Sequence, residues 1–324
     1  MCLTLFYALP LLLPLGIVTN LAERILKAFF RGISENWDYT DSNLAGAMDA
    51  PAKEDWMAIA TFRRYEKKYL LTLTQYQTLL PSLEKHMGLD SYCENGEDYE
   101  IYSLYYDTKH HDLIRHSLSH PYYKEKLRVR SYRIPRSQQE PVFVELKKKI
   151  GGVTAKRRVE LPLGEAYRLL AGGALPVMPD YLSREVLREI SCFLNLYAVR
   201  PAAYISYKRL AFTGKEDPTL RVTFDREICT RREQLLLEAG SFGGLLIPED
   251  QRLMEIKTLG TLPLWLVREL SALEIYSRGF SKYGTEYQQW LRADPCDAAQ
   301  VPSGENGFLD ISHLFELRKV DFEC

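Results

Sequence analysis

The stretch from Tyr122 to Pro162 constrains this chain most tightly. It runs YYKEKLRVRSYR, a turn-like IPRSQQEP, then VFVELKKK, IGGVTA and KRRVELP. The three patterned runs alternate by twos, the period of a β-strand whose two faces meet different surroundings. In the first, Lys124, Lys126, Arg128 and Arg130 fall on one face and Leu127 and Val129 on the other. In the second, Glu145, Lys147 and Lys149 oppose Val144, Leu146 and Lys148. In the third, Lys156 and Arg158 oppose Val159 and Leu161. A solvated sheet face mixes charge signs, because like charges on facing strands repel. Here the polar face is almost all basic, yet the whole chain carries a net charge of only -1. Positive charge is gathered locally, and gathered cations need an anion. An edge hairpin defended by lysines would account for one such run, but the pattern returns downstream.

At 324 residues and 46% hydrophobic, the chain can bury a substantial core, as one large domain or two small ones. Its six cysteines are scattered without a C-x-x-C pair, so neither a zinc site nor a disulfide framework is indicated, which suits a reducing compartment.

Three segments emerge. Residues 1–56 are an apolar leader and linker, with MCLTLFYALPLLLPLGIV at the start. The leader lacks the basic n-region of a signal peptide and contains Pro10 and Pro14. A translation start at Met57, a disordered leader, a membrane anchor and a packed helix all stand open. In the anchor reading, Arg24, Lys27 and Arg31 would keep the remainder cytoplasmic, and the expected location is the cytoplasm. Residues 57–291 carry the pattern. Residues 292–324 form a Pro-, Gly- and Asp-rich tail in which no function is legible.

Within the patterned segment, FRRYEKKYLLTL at Phe62–Leu73 is a strand with Arg64, Glu66 and Lys68 on one face. A helix capped by Thr74 follows, then a strand over Tyr99–Asp107. His110, His111, His116 and His120 lack the spacing of a zinc motif and are expected in a solvated loop. Leu163–Leu196 has helical periodicity. Strands follow over Arg200–Phe212, with Tyr207 and Arg209 on one face, and Leu220–Ile228, with Arg221, Thr223 and Asp225 on one face. Leu253–Thr258 repeats the Glu-x-Lys pattern with Glu255 and Lys257, and an amphipathic helix over Leu262–Tyr276 leads to FSKY.

These elements predict an α+β fold of seven or eight antiparallel strands with flanking helices. If the sheet closes into a barrel, its charged faces line the interior. So many buried cations are costly without an anion or water among them. Phosphates fit best: arginine makes bidentate contacts with them and lysine supplies point charges. The few glutamates can hold Mg²⁺ or Mn²⁺, which prefer oxygen ligands. No Walker loop, Rossmann fingerprint or nucleophile elbow is present. The near-neutral charge speaks against nucleic acid as the partner.

The runs SLYYDT, KLRVRSY, VFVELKKK, KRRVELP, YKRLAF, LRVTFDR, MEIK and FSKY, in that order over Phe62–Leu291, resemble the vacuolar transporter chaperone (VTC) polyphosphate polymerase domain. That family belongs to the triphosphate tunnel metalloenzymes. The resemblance implies an eight-stranded antiparallel tunnel that moves the γ-phosphoryl of ATP onto a growing polyphosphate chain. It assigns catalytic roles to Lys68, Arg128, Arg130, Arg209, Arg221 and Lys282. It assigns phosphate binding to Lys126, Lys147, Lys156, Arg158, Tyr207, Lys257 and Ser281, and Mn²⁺ or Mg²⁺ to Glu255 with Glu145 and Glu66 as helpers. ATP and polyphosphate are the implied partners. An inositol phosphate regulator and a membrane protein partner stay open. Two other readings also stand: a triphosphatase or cyclase of the CYTH branch, and a module that binds polyphosphate or inositol phosphate without turnover. The CYTH branch carries Glu-x-Glu-x-Lys on its first strand. Here arginine occupies the first of those positions, at Arg64, which favours the polymerase branch.

Overall fold

The computed structural model describes residues 65–293, apart from Glu94, Asn95 and Gly152. Alternating apolar and charged residues produce long strands here, and the strands form one antiparallel sheet. In chain order these are β1 (Tyr65–Thr72), β2 (Met87–Leu89), β3 (Tyr99–Thr108), β4 (Tyr123–Ser131), β5 (Pro141–Ile150), β6 (Val153–Pro162), β7 (Val199–Gly214), β8 (Arg221–Arg231), β9 (Gly244–Leu245) and β10 (Gln251–Thr258). The helices are α1 (Leu73–His86), α2 (Asp112–Leu118), α3 (Leu163–Leu170), α4 (Tyr181–Leu196), α5 (Leu264–Ala272) and α6 (Lys282–Ala293). The hydrogen-bonded path is β1-β10-β8-β7-β3-β4-β5-β6, with β2 added to β7 and β9 to β8.

The organising stretch is the β4-β5-β6 meander, in which Lys126 faces Lys147, and Lys147 faces Lys156. Its second turn is a two-residue hairpin after Ile150, which pairs with Val153. Gly151 adopts φ +52° there, and a Cβ would come within 2.9 Å of the Tyr122 ring, so glycine is required twice over.

The apolar faces of the strands point outward into two separate cores. Leu127, Val129, Val144, Leu146 and Val159 pack under α3 and α4, against Leu169, Ile190 and Phe193. Leu71, Val222, Phe224, Met254 and Ile256 pack under α1 and α5, against Leu79, Leu83 and Leu266. Each fully buried aliphatic side chain contributes roughly 1.5–3 kcal/mol, so the pattern is strongly enforced. Glu189 of α4 also clamps the outer face through Lys148 at 3.6 Å and Arg157 at 3.2 Å. With the outer faces claimed, the charged residues must turn to the concave side. A third cluster fills part of that side: Ile101, Ile205, Ile228 and Leu253 against Tyr283 and Tyr287 of α6.

Three expectations need correction. The eight-stranded antiparallel path is present, but among the described residues β1 and β6 are its two ends and no ladder joins them. Lys67 and Lys68 lie on one end strand and Lys156, Arg157 and Arg158 on the other, and edge cations obstruct strand pairing. The sheet nevertheless curls far enough for Glu66 of β1 to feel the charge of Lys147 on β5. Second, α1 is capped by Thr72 and not Thr74: Thr72 Oγ1 accepts from Gln75 N at 3.2 Å and Gln75 Oε1 accepts from Thr72 N at 3.0 Å, a capping box. Third, His111 is not a solvated loop residue. Its ring packs 5.4 Å from Tyr287 and 5.1 Å from Trp290, beside Arg232. Among the described residues no helix is long and apolar enough to cross a membrane. The leader, the Met57 start and the tail beyond residue 293 lie outside the described residues.

Candidate active site

The concave face holds three carboxylate-centred clusters. On β4, β5 and β6, Glu145 is almost wholly buried, and Arg128 donates from Nε and Nη2 to its Oε2 at 2.7 and 2.6 Å. Lys156 Nζ lies 2.6 Å from Oε1 and Arg130 Nη1 3.9 Å from Oε2. Burial alone would push this carboxyl up, but Arg128, Arg130 and Lys156 together hold it well below the usual carboxylate range. Glu145 is therefore ionised and fixes the cations around it.

On β7 and β8, Asp225 is fully buried and receives a two-pronged contact from Arg209, Nε to Oδ1 at 2.6 Å and Nη2 to Oδ2 at 2.8 Å. Lys282 Nζ adds a 2.5 Å bond to Oδ2. Here too burial opposes ionisation and loses to Arg209 and Lys282.

On β1 and β10, Lys68 Nζ lies 3.1 Å from Glu66 Oε1 and 4.0 Å from Glu255 Oε2, while Lys257 Nζ lies 2.7 Å from Glu255 Oε1. Burial and the charge of Glu255 push Glu66 up, yet Lys147, Lys68 and Lys257 hold it below its ordinary value. Glu255 sits lower still: burial opposes, but Lys257, Lys68, Arg209 and Lys282 prevail.

Two tyrosines join the clusters. Arg130 Nη2 donates to Tyr207 Oη at 3.2 Å, and Lys282 Nζ sits 4.2 Å from the centre of that ring. Arg128 Nη1 donates to Tyr105 Oη at 2.9 Å. Burial pushes the Tyr105 phenol up, but Arg128 and Arg130 bring it down to about 8. Lys282 begins α6 and Ser281 immediately precedes it; Ser281 Oγ accepts from Lys126 Nζ at 3.0 Å.

The cations outnumber the carboxylates. Lys126 has no carboxylate within ion-pair distance among the described residues. Burial, with Lys147, Lys124 and Lys68 nearby, pushes its ammonium down to about 8, against a partial offset from Tyr105. Lys147 is likewise pushed down, first by burial, and the charge of Glu66 only partly offsets that. Both side chains are half-buried.

The structure thus brings Lys68, Lys126, Arg128, Arg130, Lys147, Lys156, Tyr207, Arg209, Lys257, Ser281, Lys282, Glu66, Glu145 and Glu255 onto one concave surface. Arg158 shares that face but its guanidinium stacks on Phe143, 4.8 Å from the ring centre. Arg221 lies further along β8, opposite Lys257, and its guanidinium bonds to Asp90. Sequence reasoning missed Tyr105, which alternates with Tyr106 in SLYYDT, and gave Asp225 no role although its face was legible.

The donor set fits a hard divalent cation at one place. Glu66 and Glu255 flank a single ammonium, so a cation that displaced Lys68 would meet two carboxylates. Glu145 stands apart, since both its oxygens are taken by Arg128 and Lys156. No cluster of three or more His, Cys, Asp or Glu arranged for a metal occurs among the described residues.

The model of the VTC domain matches residues 63–291. The curated proteins give no match. Among solved structures, a Hippeastrum candidate adenylyl cyclase with a dominant triphosphatase activity is 17% identical, with 69% of this chain and 95% of that one covered and a TM-score of 0.42. A candidate adenylate cyclase of Bacillus halodurans is 14% identical, with 68% and 95% covered and a TM-score of 0.41. The PH1819 protein of Pyrococcus horikoshii is 12% identical, with 69% and 99% covered and a TM-score of 0.35. The family match spans every strand of the described sheet, and the chain belongs to the VTC domain family.

Proposed function

We propose that this VTC domain is a phosphotransferase of the polyphosphate polymerase type, passing the γ-phosphoryl of ATP to the end of a polyphosphate chain with Mn²⁺ or Mg²⁺. The observation that carries it is the surplus of cations on the concave face, Lys126 and Lys147 above all. A surplus of buried positive charge is unfavourable until a polyanion enters, and a condensed phosphate offers one charge after another along a narrow channel. An isolated orthophosphate would satisfy only one cluster.

The chemistry asks little of the protein beyond position and charge. Phosphoryl transfer passes through a loose transition state with charge spread over the equatorial oxygens. Arg128, Arg130 and Arg209 are already fixed by Glu145, Tyr207 and Asp225, so they need little reorganisation to hold phosphate oxygens. Lys126, Lys147 and Lys257 neutralise the chain alongside. Lys282, anchored to Asp225, stands ready as a further donor. Glu66 and Glu255 would hold the divalent cation, which supplies charge neutralisation between bridging phosphate oxygens when bound. The terminal phosphate of the acceptor attacks, so no protein nucleophile is required.

The test is incubation of the full chain with ATP and Mn²⁺, followed by a polyphosphate gel and a phosphate assay. A ladder of polymer is expected. Release of orthophosphate without polymer would turn the reading to a triphosphatase, and tight binding without turnover to a sensor.

A further inference from the structure

The cationic face does not end in more charge. On β4 the alternation Lys126, Arg128, Arg130 continues to Tyr132, just past the strand end. On β5 the residue two before Glu145 is Phe143, which lies opposite Arg130. On β3 the residue opposite Arg209 is Tyr99. These rings meet: Tyr99 and Tyr132 have centroids 6.4 Å apart, and Tyr132 meets Phe143 edge-on at 5.8 Å. Tyr92 extends the row, 6.2 Å from Tyr99. On β4 and β5 the charged face therefore passes to an aromatic ring at the same end, and Tyr99 of β3 joins that end.

The row is not explained as core. Tyr92 is 73% exposed and Tyr132 42% exposed, whereas the tyrosines that pack under the helices, such as Tyr102 and Tyr204, are closed off from solvent. Nor is it an isolated oily patch, because it is continuous with charge. Arg158 lies over one face of Phe143. A ligand here must carry phosphate on one side and a flat apolar group on the other. Membranes and peptide helices lack that ordered pair of features, while a nucleotide has it. Four residues of strand separate Tyr132 from Arg128, about 13 Å at the usual rise, which leaves room for a ribose between ring and guanidinium.

We infer that the Tyr132 rim is a nucleobase platform, which marks this mouth as the one through which a nucleoside triphosphate loads. The inference rests on the proposed function and adds to it the recognition of the base. Stacking on tyrosine requires only a π-face, so the platform tolerates different bases and gives affinity without strict selection. It also separates donor from product: a polyphosphate chain has nothing to place on the rings.

The experiment compares two ligands in the full chain, with EDTA present to prevent turnover. Calorimetry measures the affinity of ATP and of inorganic tripolyphosphate for the unaltered chain, Tyr132→Ala and Tyr132→Phe. The expected result is an approximately tenfold loss of ATP affinity in Tyr132→Ala, with tripolyphosphate affinity unchanged within twofold and ATP affinity retained in Tyr132→Phe. Equal losses for both ligands in Tyr132→Ala, or no loss for ATP, would overturn the platform. Failure of the unaltered chain to bind tripolyphosphate at all would instead bring down the proposed function, and the platform with it.

Discussion

The Tyr283 hydroxyl donates a 2.8 Å hydrogen bond to Asp107 Oδ2 and so fastens α6 to the end of β3. Asp107 is fully buried and also accepts from the backbone N–H groups of Thr108, Leu113 and Ile114. The residue just before that anchor is Lys282, bonded to Asp225, and the one before that is Ser281, bonded to Lys126. Tyr283→Phe is expected to cost about 1–3 kcal/mol, the penalty of under-satisfying a buried acceptor, read as a lower Tm. Polymer synthesis should fall further than stability explains, because Lys282 and Ser281 lose their placement. Unaltered activity at a temperature where the variant is fully folded would remove α6 from the working site.

Asp107 also predicts a pH dependence. Burial pushes its carboxyl up to about 6, against offsets from Tyr283 and the three backbone donors. An unfolded Asp titrates near about 3.9. The folded state thus binds this proton more tightly, and the contribution of Asp107 to stability falls as pH rises from about 4 through 6. Glu145, Asp225 and Glu255 run the other way. Their folded values are depressed, so their contribution is present above about 4 and is lost as pH falls below it. Thermal denaturation across pH 3 to 8 should flatten between pH 4 and 6 in Asp107→Asn, while Glu145→Gln should soften the acid limb.

In the proposed function Glu145 is a counter-ion that the polyanion replaces. Glu145→Gln leaves Arg128, Arg130 and Lys156 uncompensated and should destabilise the empty chain by about 3–5 kcal/mol, the usual cost of breaking a buried pair from one side. Tripolyphosphate should restore more Tm to the variant than to the unaltered chain. Identical shifts in the two would mean that the polyanion does not touch these three cations.

For the metal, Glu255→Gln is expected to lower Mn²⁺-dependent turnover by about 10²-fold or more, comparable to removing one well-placed electrostatic stabiliser. ATP affinity in EDTA should persist, since the arginines are untouched. The neutral amide keeps the shape but is a weak ligand for a hard cation. Glu66→Gln should show a smaller loss, because Glu66 is the more exposed member of the pair. Full turnover with unchanged metal dependence in Glu255→Gln would move the cation elsewhere.

Much of this was legible because a strand writes its two faces into alternate letters. Val144, Glu145, Leu146 and Lys147 can be assigned to the outer core or the concave face from sequence alone, and the structure obeys that assignment. The Glu-x-Lys repeats gave the cation and carboxylate positions for the same reason. The partners within a cluster were not legible. Nothing local says that Lys282 reaches Asp225, or that Glu145 takes Arg128 while Glu255 takes Lys257, because those choices depend on which strands become neighbours. Helix α6 was missed although Tyr283, Tyr287, Trp290 and Leu291 stand at i, i+4, i+7 and i+8, the helical spacing. The open edge between β1 and β6 was also hidden: a path of eight strands reads the same whether or not its ends meet.

That open edge gives the wall a seam. Every other junction in the sheet is a ladder of backbone hydrogen bonds, which breaks only as a unit. Across it Glu66 of β1 and Lys147 of β5 act on one another through charge alone, an influence that salt weakens by degrees. Salt should therefore act on this edge before it acts on either outer core. A polyphosphate chain of the proposed reaction would lie beside a wall whose last junction is held by charge and not by a ladder.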